Sequence, residues 1–287
     1  MEDLNGPILK FFADLIFKEI GIVYNEMTFY QLESRLESVV AHFELDSMET
    51  LHHKVAKLRD QKITKYILDV ATNNETSFFR DAKVFKTLIR EVIKPLAAEG
   101  KSVRIWSAAC STGQEPYSLA MELLTLQKKQ KDFDFSIVAT DYSQRALDKA
   151  KSGIYTQLEV QRGLGSANLV KYFNQKPKVD DRPGTLWEVN DELKKHISFS
   201  HFNLLEAWSI TGSFDIILCR NVLIYQSLEK RYEILKNMHR YLKDDSYLVL
   251  GCAESISNLS DCYESTQFEE ARFFRKLATQ TKRVSNL

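Results

Sequence analysis

Beyond Asn73, apolar runs of five or six residues alternate with stretches of helical periodicity, and this alternation constrains the fold more than any other feature. The runs are 103–108 (VRIWSA), 135–140 (FSIVAT), 197–202 (ISFSHF), 214–219 (FDIILC) and 247–251 (YLVLG). Helical spacing fits 82–93, 115–129, 144–151 and 228–242. Strands alternating with helices imply βαβ units and a mostly parallel sheet. The tail 272–277 (RFFRKL) reads as one more strand, an antiparallel partner of the YLVLG run. Between Gly153 and His196 the alternation stops, and Gly163, Gly165, Pro177, Pro183 and Gly184 precede TLWEV at 185–189. That segment is expected to be an insertion holding a helix and a small hairpin.

The first seventy residues lack this pattern. Ile8, Leu9, Phe12, Leu15, Ile16 and Ile20 recur at helical spacing, and Gly21 is placed to stop that helix. Phe29 to Phe43 gives a second helix, Leu51 to Leu58 a third behind the cap residue Ser47, and Ile63 to Val70 a fourth. The expected organisation is an all-α N-terminal domain (1–75) and an α/β domain (76–287) with an inserted β-subdomain at about 154–195. A chain of 287 residues is long enough for two such units. Its hydrophobic content of 44% supplies cores for both. Residues 1–72 carry eight Lys and Arg against twelve Asp and Glu, a net of −4, and the remainder balances the chain to zero. A non-specific nucleic-acid binder carries a basic excess, so nucleic acid is not an expected partner. No run reaches the ~18 apolar residues that span a bilayer, and the start MEDLNGPILKFF has no basic segment before its apolar one. The expectation is a cytoplasmic protein without membrane insertion. Cys110, Cys219, Cys252 and Cys262 form no C-x-x-C pair and are expected to be reduced and mostly buried. His52 and His53 stand without partners at ligand spacing, so no metal site is expected.

In a doubly wound sheet, ligands bind at the carboxyl ends of the strands. After VRIWSA comes Ala109-Cys110-Ser111-Thr112-Gly113-Gln114-Glu115; after FSIVAT comes Asp141; after ISFSHF comes Asn203-Leu204; after FDIILC comes Arg220-Asn221. A turn of small residues lets backbone N–H groups approach a ligand at a helix start. An acid ending the second strand can accept two ribose hydroxyls, and an Asn after a strand can bond an adenine edge or a ligand amine. The full G-x-G-x-x-G fingerprint is absent, which argues against a nicotinamide dehydrogenase. Asp141 also has a bland reading as a turn or cap residue. The segment 73–81 (NNETSFFRD) sits between the two modules. Its bland reading is a polar turn capped by Asp81 with Phe78 and Phe79 in the core. Its functional reading places the guanidinium fork of Arg80 at the cleft, where it can hold a carboxylate.

Together NNETSFFRD, WSAACSTGQEPYSLAM, ATDYSQRALDKAKSGIY and FDIILCRNVLIYQ resemble the chemotaxis receptor glutamate methyltransferases of the CheR type. The similarity covers nearly the whole chain. It implies a Rossmann-like class I methyltransferase sheet with a small antiparallel β-subdomain, preceded by a helical domain, and S-adenosylmethionine as methyl donor. Carried over by position, the cofactor contacts fall on Asn74, Thr76, Arg80, Glu115, Asp141, Asn203, Leu204, Arg220 and Asn221, with Arg80 and Tyr225 nearest the transferred methyl. The implied partner is the cytoplasmic part of a methyl-accepting receptor. Two departures bear on docking. The second helix carries Glu33, Arg35 and Glu37 where some members of that family present a basic face. Segment 174–189 is a few residues longer than in members that bind a receptor's C-terminal pentapeptide, so recognition without that tether is expected. Two rival readings remain open: a methyltransferase of nucleic acid or small molecules, and a non-catalytic scaffold on the same fold.

Overall fold

The first helix ends where its sequence supplies a stop. The computed structural model describes residues 6–177, 184–256 and 261–277. α1 (Gly6–Ile20) stops at Gly21, which takes φ 72° and donates its N–H to the Phe17 carbonyl. α2 (Phe29–His42), α3 (Met48–Ala56) and α4 (Gln61–Ala71) follow, with Ser47 and Asp60 capping the last two. Their apolar faces meet in one core built on Phe12, Ile16, Leu36, Leu51 and Ile67. Arg35 turns its guanidinium inward and donates to the Val70 carbonyl (3.0 Å), the Thr72 carbonyl (3.1 Å) and the carbonyl of Ala71 between them. It thereby occupies the C-terminal carbonyls of α4, where the helix dipole favours a cation.

The next helical stretch, expected over 82–93, runs on to residue 98. It consists of α5 (Ala82–Thr87), a π-helical turn (Leu88–Ile93) and α6 (Lys94–Ala98). Pro95 accounts for the wider turn. It has no N–H to give the residue-91 carbonyl and its ring crowds that carbonyl, and the i→i−5 bond from Lys94 to Ile89 widens the turn there.

The sheet then builds in βα steps. β1 (Val103–Ala108), α7 (Gln114–Gln127), β2 (Phe135–Asp141) and α8 (Gln144–Ser152) come first. The insertion holds β3 (Ile154–Thr156), α9 (Gln157–Gln161), α10 (Ser166–Tyr172), β4 (Phe173–Lys176), β5 (Leu186–Val189) and α11 (Asp191–Lys194). It is richer than a helix and a hairpin, since β3 pairs with β5 to complete a three-stranded antiparallel sheet. Part of segment 174–189, at 178–183, lies outside the described residues. β6 (Ile197–His201), β7 (Phe214–Cys219), α12 (Leu228–Tyr241), β8 (Leu242–Leu250), β9 (Tyr263–Gln267) and β10 (Arg272–Lys276) complete the chain. The main sheet has the order β6-β2-β1-β7-β8-β10-β9, parallel from β6 to β8 and antiparallel at β10 and β9. β8 starts five residues earlier than its apolar run. A register shift against β7 and a left-handed Asp245 (φ 61°) absorb the polar KDDS stretch. The cysteines divide: Cys110 and Cys219 are buried, Cys262 is half-buried and Cys252 is exposed, so burial is less general than expected.

Strand register decides where chemistry can sit. Ala108 pairs with Thr140 and Cys219, Asp141 with His201, and Cys219 with Leu250. One step beyond Ala108, residues Ala109, Asp141, His201, Arg220 and Gly251 share one edge of the sheet. The helical bundle is fastened across that edge. Val23 N–H donates to the Tyr225 carbonyl, Asn203 Nδ2 to the Glu19 carbonyl, Gln226 Nε2 to the Ile20 carbonyl, and Ser143 Oγ to Asp69 of α4. Among the described residues no helix is long and apolar enough to cross a membrane.

Candidate functional site

The sheet edge, segment 73–81 and the end of α1 line one cleft. Asn74, Thr76, Arg80, Glu115, Asp141, Asn203, Leu204, Arg220, Asn221 and Tyr225 all line it. Residues more than a hundred positions apart therefore meet in one concave site.

The turn after β1 is strained in alternation. Ala109 (φ 59°), Ser111 (φ 51°) and Gly113 (φ 95°) are all left-handed. A Cβ on Gly113 would lie 2.9 Å from Ala150 Cβ, so glycine is required both by φ and by space. Non-glycine residues in this conformation cost about 1–2 kcal/mol each, and such strain collects at ligand sites. Here it aims Ser111 N–H at Asp141 Oδ2 (2.7 Å). Ser143 N–H reaches the other carboxylate oxygen at 2.9 Å. Burial pushes the Asp141 carboxyl up from its ordinary value, and these two backbone bonds pull against that rise. Ser111 Oγ also donates to the Asn74 carbonyl at 2.8 Å, tying segment 73–81 to the turn.

Arg220 organises the second half of the site. Its side chain is 2% exposed. Nη1 reaches Glu115 Oε2 at 2.9 Å, and Nη2 reaches Asp81 Oδ2 at 2.7 Å and the Arg80 carbonyl at 2.9 Å. Ser107 Oγ holds the other oxygen of Glu115 at 2.7 Å. The bland reading of Asp81 as a side-chain cap does not hold: Asp81 precedes α5 with φ 58° and makes no cap hydrogen bond, because its carboxylate is turned to Arg220. Phe78 is core, with Phe79 packed beside it. Arg80 differs from Arg220. It is half-buried, donates Nη1 to the Glu75 carbonyl (3.1 Å), and has no carboxylate in salt-bridge range among the described residues.

Three of the remaining side chains are already engaged. Asn203 donates Nδ2 to Glu19 O (3.0 Å) and Glu206 Oε1 (3.1 Å) and accepts from Leu205 N–H (3.0 Å). Both of its amide N–H groups are thus engaged within the chain. Asn74 donates to Ser143 Oγ at 3.3 Å. Tyr225 Oη accepts from Asn73 Nδ2 at 2.7 Å, which leaves the phenolic O–H to donate into the cleft. Asn73 and Glu254 escaped the strand-end reading. Asn73 stands in the NNETSFFRD motif, and Glu254 follows the YLVLG run by three residues, within reach of the same strand-end reading. Among the described residues no cluster of His, Cys, Asp and Glu is gathered around a common point as for a metal ion.

Comparison with known proteins agrees with this geometry. Residues 74–272 match the family described as CheR methyltransferase, SAM binding domain. The chain is 37% identical over 255 residues to chemotaxis protein methyltransferase 1 of Vibrio cholerae, covering 88% of this chain and 90% of that one. It is 37% identical over 273 residues to chemotaxis protein methyltransferase 1 of Pseudomonas aeruginosa, covering 93% and 96%. It is 32% identical over 249 residues to a chemotaxis protein methyltransferase of Borreliella burgdorferi, covering 84% and 86%. With this cleft, this sheet order and relatives matched over most of its length, the chain belongs to the CheR methyltransferase family.

Proposed function

We propose that this chain esterifies glutamate side chains on the cytoplasmic part of a methyl-accepting chemotaxis receptor. The observation that carries the reading is the charge pattern of one cleft: two held acids, Glu115 and Asp141, beside one cation, Arg80, that among the described residues has no carboxylate in salt-bridge range. S-adenosylmethionine, when bound, supplies a methyl on a sulfonium centre, which an oxygen nucleophile can take by in-line displacement.

The residues fit that donor. It bears a cationic ammonium and sulfonium and no phosphate, so acids and a polar turn suit it better than a glycine-rich anion cradle. Each Asp141 oxygen uses one acceptor site on a backbone N–H and retains another for a ribose hydroxyl. Glu115, fixed by Ser107 and Arg220, suits the methionine ammonium.

The acceptor needs no general base, because a glutamate with a reference pKa of about 4.3 is already ionised at neutral pH. What the protein supplies is position. Arg80 holds one carboxylate oxygen and leaves the other to attack, and the Tyr225 O–H steadies the same group. Reactants aligned about 3–3.5 Å apart gain most of the rate, and closing the cleft over the carboxylate strips water from it. Division of labour follows the sequence: residues 1–75 meet the receptor and 76–287 do the chemistry. Recognition is direct, without a pentapeptide tether. Support comes from the acidic balance of the first 72 residues and from Arg35, whose cation is spent inside the bundle.

The deciding experiment is transfer of radiolabelled methyl to receptor-containing membranes, with base-labile ester as readout. Label that survives base would place the methyl elsewhere. Asp141→Asn is expected to weaken S-adenosylhomocysteine binding about 10–100-fold in calorimetry, one to two lost or mismatched hydrogen bonds. Wild-type affinity would remove Asp141 from the ribose site. Since the competent group is the ionised Asp141 carboxylate and burial raises its pKa, affinity should fall as pH drops through a value above that of an ordinary aspartate. The Asn variant should lose that dependence.

A further inference from the structure

Glu254 lies four residues beyond the end of β8 and does not line the cleft. Its carboxylate accepts four backbone N–H groups. Oε2 takes Gly251 (2.7 Å) and Asn221 (2.8 Å), and Oε1 takes Val222 (2.8 Å) and Leu223 (2.7 Å). Three of these donors belong to the segment that leaves β7, where Asn221 is left-handed (φ 61°). Among the described residues no other acceptor is drawn in for them, and a buried amide without one costs about 1–3 kcal/mol. Gly251 makes the arrangement possible: a Cβ there would lie 2.7 Å from Glu254 Oε2 and 2.9 Å from Asn221 N.

The held segment is the one that delivers Asn221, Val222 and Tyr225 to the cleft, the last on a short 3₁₀ turn over Leu223–Tyr225. We propose that Glu254 is a positioning residue for methyl transfer. Through the main chain it sets Asn221 against the cofactor and Tyr225 against the acceptor. The inference rests on the cofactor reading of the cleft given above.

Glu254→Gln preserves length and volume but turns an NH2 toward two N–H donors, so the segment must shift. S-adenosylhomocysteine affinity, read by calorimetry, should fall about tenfold, the equivalent of one hydrogen bond. At saturating cofactor and receptor, kcat should fall about a hundredfold, as a misplacement near 1 Å can cause. Because the effect passes through Tyr225, Glu254→Gln and Tyr225→Phe should be strongly non-additive in kcat. A purely structural role predicts instead a lower Tm with wild-type affinity and kcat in the folded fraction, and either that result or fully multiplicative losses would overturn the proposal. If Glu254→Gln does not fold, Gly251→Ala tests the same contact from the other side, with the same readouts and expected losses. Absence of S-adenosylhomocysteine binding by the wild type would count against the cofactor reading itself. Binding by the wild type with unchanged affinity and kcat in the variants would count against Glu254 alone.

Discussion

Arg220→Met is expected to cost about 3–5 kcal/mol of folding stability, the usual loss when one partner of a buried ion pair is removed. Methionine replaces the hydrocarbon stem well enough. It gives nothing to Glu115, whose side chain is 13% exposed, to Asp81, or to the Arg80 carbonyl. Two carboxylates are then left facing one another across the space a guanidinium filled. The loss is structural in origin, because Arg220 joins segment 73–81 to α7 and β7 with a single planar group. Arg220→Lys should recover little of it, since one ammonium cannot reproduce a fork that reaches three acceptors in different directions. Denaturant unfolding is the measurement, with cofactor affinity expected to fall in parallel as Glu115 loses its anchor. A loss below about 1 kcal/mol, the level of a surface ion pair, would show that the network stabilises nothing.

Arg80→Ala is expected to give the reverse pattern. Its side chain is half-buried and donates to the Glu75 carbonyl. The nearby Glu75 carboxylate is occupied by Arg162 at 2.6 Å, which holds it below its ordinary pKa. Folding stability should change by about 0.5 kcal/mol or less, as for surface positions generally. Methyl transfer at saturating receptor should fall about 10²–10³-fold, the range seen when one preorganised donor at a reacting centre is removed. A stronger grip would be counterproductive. A bidentate pair would bind both oxygens of the acceptor and blunt the nucleophile, whereas the existing bond to the Glu75 carbonyl leaves only part of the guanidinium for substrate. Initial rates with wild-type and Arg80→Ala protein decide the matter, and equal turnover would rule out the role. Measured together, the two substitutions separate an arginine that builds the site from one that acts in it.

Much of the sheet was legible because its central strands β1 and β7 are buried on both faces and so read as short apolar runs. β1 and β7 match their runs residue for residue, and β10 pairs antiparallel with β8 as its position suggested. β9 was not legible. Its sequence YESTQ is mostly polar, as an edge strand facing water can be, and no periodicity marks it. The π-helical turn was missed for a similar reason: helical spacing from 82 to 93 looks the same whether the bonds run to i−4 or i−5, and Pro95 was the only warning.

For the cleft, the sequence by itself determined which side chains arrive at the strand ends. A strand's apolar run ends where the chain meets solvent, and the next polar residue must stand at the sheet edge. Ten of the residues named on that basis and by resemblance do meet there. What each one does was decided by tertiary contacts alone. Arg80 and Arg220 are equally prominent in the sequence, yet one is exposed to the cleft and the other is locked by Asp81, a residue 139 positions away in the chain. Asn203 is drawn off by the Glu19 carbonyl across 184 positions. Glu254 acquires its role only because β7 and β8 lie side by side and Gly251 leaves room for its carboxylate. Local periodicity reports burial and backbone conformation. Hydrogen-bond partners depend on which distant segments the sheet order brings together, and that order is fixed only when the whole core packs.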